Sequence, residues 1–484
     1  MYSVKEIKKG LEEKKFSTVE IVKEYLEKIK KEDKKIKAFI TLREDEAIKE
    51  AIEVDKKIAS GQELRLLEGL PVGLKDNIAT KGLKTTCSSK ILEDFIPPYD
   101  ASATIKVREK GGIVIGKLNM DEFAMGSSTE NSAFFDTKNP WDLSRVPGGS
   151  SGGSAAAVSA GFAPITYGSD TGGSVRIPAS FCGVVGLKPT YGLVSRYGLI
   201  ALASSLDQIG PFGKSVEDCI YGLEGVQGFD KKDSTSKDVK LPDYFEEIKK
   251  GIKGLKVGVP EEFFGQGIDK EIKKKIEDNI KILEKLGAHI ERFSLPITDT
   301  GLSAYYIISS AEASSNLGRY DGVRYGIRAE DYSSFEELIV KSRTEGFGEE
   351  VKRRIMLGTY ALSSGYYDAY YKKAMIFRKK VEKLFDDAFD KYDVVVSPTL
   401  PILPFKLGEK INNPMEMYLS DTFTVNINLA GVPAISVPAG FSKEGLPIGM
   451  QFIGDKFSED ILFRFAYALE QELKLDLDPW KEGR

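Results

Sequence analysis

Pro147-Gly148-Gly149-Ser150-Ser151-Gly152-Gly153-Ser154 and Gly168-Ser169-Asp170-Thr171-Gly172-Gly173-Ser174-Val175-Arg176 are the two stretches around which the chain is organised. Between them, residues 155–160 are a short helix former, and Phe162-Ala163-Pro164-Ile165-Thr166-Tyr167 reads as a strand. Two backbone-permissive loops are thus held by rigid elements. Each offers serine hydroxyls and N–H groups that side chains do not obstruct, an arrangement suited to a nucleophile.

Outward from these loops the helix-then-strand step recurs. A helix over about 101–110 leads to an apolar strand at 112–116, and further apolar strands are read at 184–187, 255–259, 394–397, 434–437 and 448–453. With helices between most of them, the pattern predicts an α/β fold, a large central mixed β-sheet covered by helices on both faces. Residues 1–60 read as a helical lead-in of three amphipathic helices, two of them opened by the capping boxes Ser3 to Glu6 and Ser17 to Glu20. A stretch from about 230 to 390 is richer in charged helices, with 269–286 the clearest, and reads as an insertion or cap within a single domain spanning 1–484.

Composition removes several classes of function. The 484 residues are 41% hydrophobic and 29% charged with a net charge of −4, so there is no global basic footprint for nucleic acid. Cys87, Cys182 and Cys219 are scattered without CxxC spacing, which suggests neither a disulfide framework nor a zinc site. No stretch approaches the ~18 apolar residues of a membrane span, and a cytoplasmic protein is expected. His289 is the only histidine, which leaves a single candidate for Ser-His-Asp chemistry.

Gly148-Gly149-Ser150-Ser151-Gly152 matches the G-x-S-x-G nucleophile elbow, a reading that needs His289 as base and an acid such as Asp170. Neither loop ends in the Lys-Ser/Thr of a phosphate-binding loop. The other base is Lys75, in Leu70-Pro71-Val72-Gly73-Leu74-Lys75-Asp76-Asn77, a lysine ending an apolar strand. Burial penalises the ammonium and would free the amine to deprotonate a serine; a strand-end surface lysine is the bland alternative.

The second loop, the preceding Gly-Gly-Ser-Ser-Gly-Gly-Ser and the lysine of Gly-Leu-Lys-Asp-Asn, in that arrangement, resemble the amidase signature family, with Ser169 where the family commonly has Thr. The resemblance implies a Ser-Ser-Lys triad of Lys75 as base, Ser150 as relay and Ser174 as nucleophile. It also implies a cis peptide at Gly149-Ser150 and an oxyanion hole from the amides of Thr171, Gly172 and Gly173.

Within the family, Tyr305 to Leu317 and Arg319-Tyr320-Asp321-Gly322 are similar to the ammonia-generating subunits of tRNA-dependent amidotransferases. That implies a glutaminase, with Arg354 on the α-carboxylate, Asp421 on the α-ammonium and a tyrosine at 305 or 306 lining the pocket. Read alone, Arg354 is a solvated helix charge and Asp421 a helix N-cap. The resemblance further implies no cofactor or metal in this chain, ATP and Mg in a partner, a heterotrimer completed by B and C subunits, and tRNA contact mainly through the partner. A free-standing amidase and a non-catalytic scaffold are the alternatives.

Overall fold

In the computed structural model, which describes residues 2–265, 267–410 and 414–481, the apolar runs assemble into one mixed sheet. In chain order its strands are β1 (Phe39–Leu42), β2 (Pro71–Lys75), β3 (Ile113–Leu118), β4 (Ile165–Asp170), β5 (Val185–Lys188), β6 (Gln208–Gly213), β7 (Lys256–Pro260), β8 (His289–Phe293), β9 (Val394–Pro398), β10 (Ala434–Phe441) and β11 (Pro447–Ile453). Among the described residues they lie in the order β1-β3-β2-β4-β6-β5-β10-β11-β9-β7-β8. β2 runs parallel to β3 and β4, and β7 runs parallel to β8 and β9; the remaining pairs are antiparallel.

Alternation along β3 shows why both faces are covered. Ile113 and Ile115 pack with Ala155, Ala156 and Val158 of the Gly152–Ala160 helix on one side, whereas Val114 joins Leu74 and Val107 on the other. Every residue of β2, β3 and β4 is buried, as expected of central strands sandwiched between helices. β8, at the end of the sheet, has no buried residue.

Three helices, Val4–Glu12, Thr18–Ile36 and Glu44–Ala59, occupy the lead-in, and both expected capping boxes form. The strand β1 interrupts them, a short element that the amphipathic pattern did not announce. β6 also escaped the sequence reading, because Gln208-Ile-Gly-Pro-Phe-Gly carries two glycines and a proline that argue against a central strand. The stretch from 230 to 390 supplies β7 and β8 to the sheet before its long helices Thr298–Leu317, Phe335–Gly346, Glu349–Leu362 and Tyr371–Phe389. The stretch is therefore rich in helices and also contributes two strands to the sheet.

Candidate active site

Because β2 and β4 are adjacent and parallel, their C-terminal ends bring Lys75 and the second glycine loop together. The first loop closes over them, with Gly148 at φ +80° and the Gly149-Ser150 bond in the cis form. Lys75 Nζ lies 2.7 Å from Ser150 Oγ, 2.8 Å from Ser151 Oγ and 2.9 Å from Ser169 Oγ. Its side chain is fully buried, and burial pushes the ammonium down to about 7, although Asp121, Asp170 and Asp207 pull the other way. No carboxylate hydrogen-bonds to it among the described residues.

Ser174 is 7% exposed and its carbonyl accepts the Ser151 amide at 3.2 Å. Its hydroxyl makes no hydrogen bond among the described residues, so the link from Ser150 to Ser174 is open in this structure. Asp170 shapes the loop between them. Burial pushes its carboxyl up, but the Arg176 guanidinium, bridging Oδ2 at 3.1 Å and Oδ1 at 3.2 Å, outweighs that and holds it down at about 2. The same carboxylate accepts the amides of Gly173 at 2.8 Å and Val175 at 3.1 Å.

That contact engages one of the three amides expected in the oxyanion hole. The Gly173 N–H is taken up by Asp170, whereas the amides of Thr171, Gly172 and Ser174 donate to no protein group among the described residues. Thr171 is held from behind by its hydroxyl, which donates to Asp207 at 2.7 Å. Gly173 has φ +140°, a region that favours glycine.

The four expected substrate-binding residues form a second cluster beside the first. Tyr305 lies directly over Gly172, where a Cβ would meet its ring at 2.4 Å. Tyr306 donates to Asp421 Oδ2 and Ser127 donates to Oδ1, each at 2.7 Å. Burial pushes the Asp421 carboxyl up to about 6 against these two donors and Arg354. Arg354 stands over the rings of Tyr306 and Tyr418, 4.6 and 5.0 Å from their centroids, and donates to Glu350 at 2.7 Å.

Both simple readings of this pair fail. Arg354 is 4% exposed rather than solvated, and the Asp421 carboxylate faces Ser127 and Tyr306 rather than capping the Val425–Ala430 helix. A cleft of about 620 Å³ opens beside them, with Ser127, Glu350, Arg354 and Tyr418 in its walls.

His289 lies exposed at the start of β8, at the opposite end of the sheet from β2 and β4, so the elbow reading has no base. Ser151, Ser169, Ser127, Glu350 and Tyr418 are contacts the sequence reading did not assign. The first two stood inside the quoted loops, where a second hydroxyl, adjacent to Ser150 in one loop and at the start of the other, was the available signal. Among the described residues no group of three His, Cys, Asp or Glu side chains could hold a metal ion, and no helix is long and apolar enough to cross a membrane.

The sheet, with a buried lysine and several serines gathered where parallel strands end, defines an α/β enzyme. The family described as Amidase matches residues 20–463, and the chain belongs to it. It is 64% identical over 472 residues, 97% of this chain and 96% of the other, to the glutamyl-tRNA(Gln) amidotransferase A subunit of Alkaliphilus metalliredigens. The corresponding A subunit 2 of Clostridium acetobutylicum is 60% identical over 97% of this chain and 98% of its own length. The crystal structure of the glutamyl-tRNA(Gln) amidotransferase A subunit from Thermotoga maritima superposes with a TM-score of 0.78 at 47% identity, covering 94% of this chain and 91% of that one.

Proposed function

We propose that this chain is the glutamine-hydrolysing, ammonia-generating subunit of a tRNA-dependent amidotransferase. Lys75, acting through Ser150, removes the proton of Ser174, whose Oγ attacks the side-chain amide carbon of glutamine. The oxygen that becomes negative is received by the amides of Thr171 and Gly172; Gly173 contributes only if it releases Asp170, and the Ser174 amide is the further donor available. The proton returns through Ser150 to the departing nitrogen, ammonia leaves, and water then releases glutamate from Ser174.

Arg354 takes the α-carboxylate and Asp421 the α-ammonium, both as charge-assisted hydrogen bonds, while Tyr305 and Tyr306 wall the pocket. Ammonia passes to a partner, the B subunit, which uses ATP and Mg to activate mischarged tRNA, and a small C subunit completes the heterotrimer. The observation that carries the chemistry is Lys75, buried, lowered to about 7 and 2.7 Å from Ser150 Oγ, with hydroxyls rather than carboxylates as its side-chain hydrogen-bond partners. The names of the similar proteins support the substrate and the complex.

The test is co-expression of the chain with candidate B and C subunits, followed by glutamate release with and without ATP and mischarged tRNA. Glutaminase activity that increases when the acceptor is supplied is expected. Partner-independent turnover of many simple amides at the rate of glutamine overturns the reading.

A further inference from the structure

Asp121 and Glu122 are consecutive buried carboxyl residues that the proposed chemistry does not use, and they face in different directions. Asp121 accepts the amides of Thr129 at 2.9 Å and Asn131 at 3.1 Å, and its own amide donates to Ser150 O at 3.2 Å. It packs against Gly149 so closely that a Cβ there would meet Oδ2 at 2.1 Å. The relay-serine loop is thereby seated on residue 121.

Glu122 reaches the other way. It accepts the Ser89 hydroxyl and, at 2.8 Å, the amide of Gly348, the residue that precedes the Glu349–Leu362 helix. A helix start leaves amides without intrahelical partners and carries the positive end of the helix dipole. Gly348 has no side chain to accept the N2 or N3 amide; the Glu122 carboxylate, from another part of the chain, instead accepts the amide of the N-cap residue itself, as the acidic partner of a capping box does. The fit is close, since a Cβ on Gly348 would meet Glu122 Oε2 at 2.3 Å. Phe123 adds an edge-on ring contact to Phe347, with centroids 5.7 Å apart.

The helix seated in this way carries Glu350 and Arg354 on its buried side. We propose that Asp121 and Glu122 act together as a spacer: Asp121 holds the relay-serine loop, Glu122 holds the start of the Glu349–Leu362 helix, and preference for an amide bearing an α-carboxylate depends on Glu122. The inference rests on the glutaminase reading above. Glu122 and Gly348 stand in the wall of the same cleft, but Glu122 hydrogen-bonds to Ser89 and Gly348 and not to Ser150, Ser174 or Arg354, and it is proposed as a positioning residue. A helix start that shifts moves Arg354 relative to Ser174, and displacements of about 1 Å are known to cost up to ~10²-fold in rate.

The experiment compares the wild-type chain with Glu122→Ala, Glu122→Gln, Gly348→Ala and Arg354→Ala, each assembled with the partner subunits. The substrates are glutamine and 4-aminobutanamide, which is glutamine without its α-carboxylate. Glu122→Ala is expected to lower the ratio of kcat/KM for glutamine to that for 4-aminobutanamide about tenfold, mainly through the KM for glutamine. Gly348→Ala, which crowds the same contact from the helix side, reproduces the fall. Glu122→Gln still accepts the Gly348 amide and recovers most of the ratio.

A merely structural fault lowers both substrates together and leaves the ratio unchanged. That result in Glu122→Ala, or in Gly348→Ala if the former does not fold, overturns the proposal. A collapsed ratio in Arg354→Ala beside a wild-type ratio in Glu122→Ala removes the spacer alone. An unchanged ratio in Arg354→Ala removes the glutaminase reading, and the spacer with it.

Discussion

Lys75 and Lys117 stand on neighbouring parallel strands, both with fully buried side chains, and the register of β2 against β3 pairs Lys75 with Leu118 and Leu74 with Lys117. The two lysines therefore point to opposite faces of the sheet. Burial pushes both ammonium groups down. Their neighbours differ. Lys75 is surrounded by the hydroxyls of Ser150, Ser151 and Ser169, none of which can hold it charged as a carboxylate would. Lys117 faces Asp76 at 3.5 Å and donates to Ile78 O at 2.7 Å and Thr85 Oγ1 at 2.8 Å. Asp76 in turn accepts the Thr86 amide at 2.9 Å, so this second lysine ties the turn after β2 together. Burial alone does not make a base; a buried lysine becomes one where it keeps its free electron pair and a serine within reach.

Removing each lysine in turn has the largest expected effect. Lys75→Ala is expected to remain folded while glutamine hydrolysis falls by roughly 10²–10⁴-fold in kcat, the range for loss of a general base. Activity within a few-fold of wild type would leave the serines without their base and the contrast without content. Lys117→Met gives the opposite outcome. It strands the Asp76 carboxylate, with an expected loss of roughly 3–5 kcal/mol in denaturant unfolding, while the kcat of the folded fraction changes by less than about threefold. Loss of turnover at an unchanged unfolding midpoint would place Lys117 in the chemistry and sink the distinction.

The same contrast explains what could be read from the chain. Lys75 was legible because a charge at the end of an apolar run is unexpected there, and the sheet was legible because most strands are short apolar runs between turn residues. Lys117, in Ile113-Val114-Ile115-Gly116-Lys117-Leu118, carried the same local signal, and only its partner Asp76 across the sheet tells the two apart. Arg354 was hidden for a related reason. In Val351-Lys352-Arg353-Arg354 three cations look alike, yet Arg353 keeps 43% of its side chain exposed while Arg354 keeps 4%. Ser127, Glu350 and Tyr418 gave no local signal at all, because each gains its place from residues far away in the sequence, as Ser127 does from Asp421. The strand β6 formed against its own propensity because β4 and β5 supply partners on both sides.

The smallest of these effects, and the one that reports on the lysine without removing it, is the pH profile. Lys75 acts as a base only when neutral, so with the ammonium at about 7 the value of kcat/KM rises with pH through about 7 and then levels. Asp421 holds the α-ammonium only when ionised, and with its carboxyl at about 6 it adds a second requirement below that pH. The expected logarithmic slope is therefore near one between about 6 and 7 and steeper, toward about two, below 6. Asp121 and Asp207, both also pushed up to about 6 by burial, and Glu122, pushed up to about 7, titrate in the same window, so the assignment needs variants, and Glu122→Gln separates Glu122 from Lys75. In Asp421→Asn the overall rate is lower, the slope below 6 relaxes toward one, and the midpoint near 7 stays where Lys75 puts it. A profile that is flat from 5 to 8 would mean that no buried amine is being unloaded, and the difference between the two lysines would then be one of packing only.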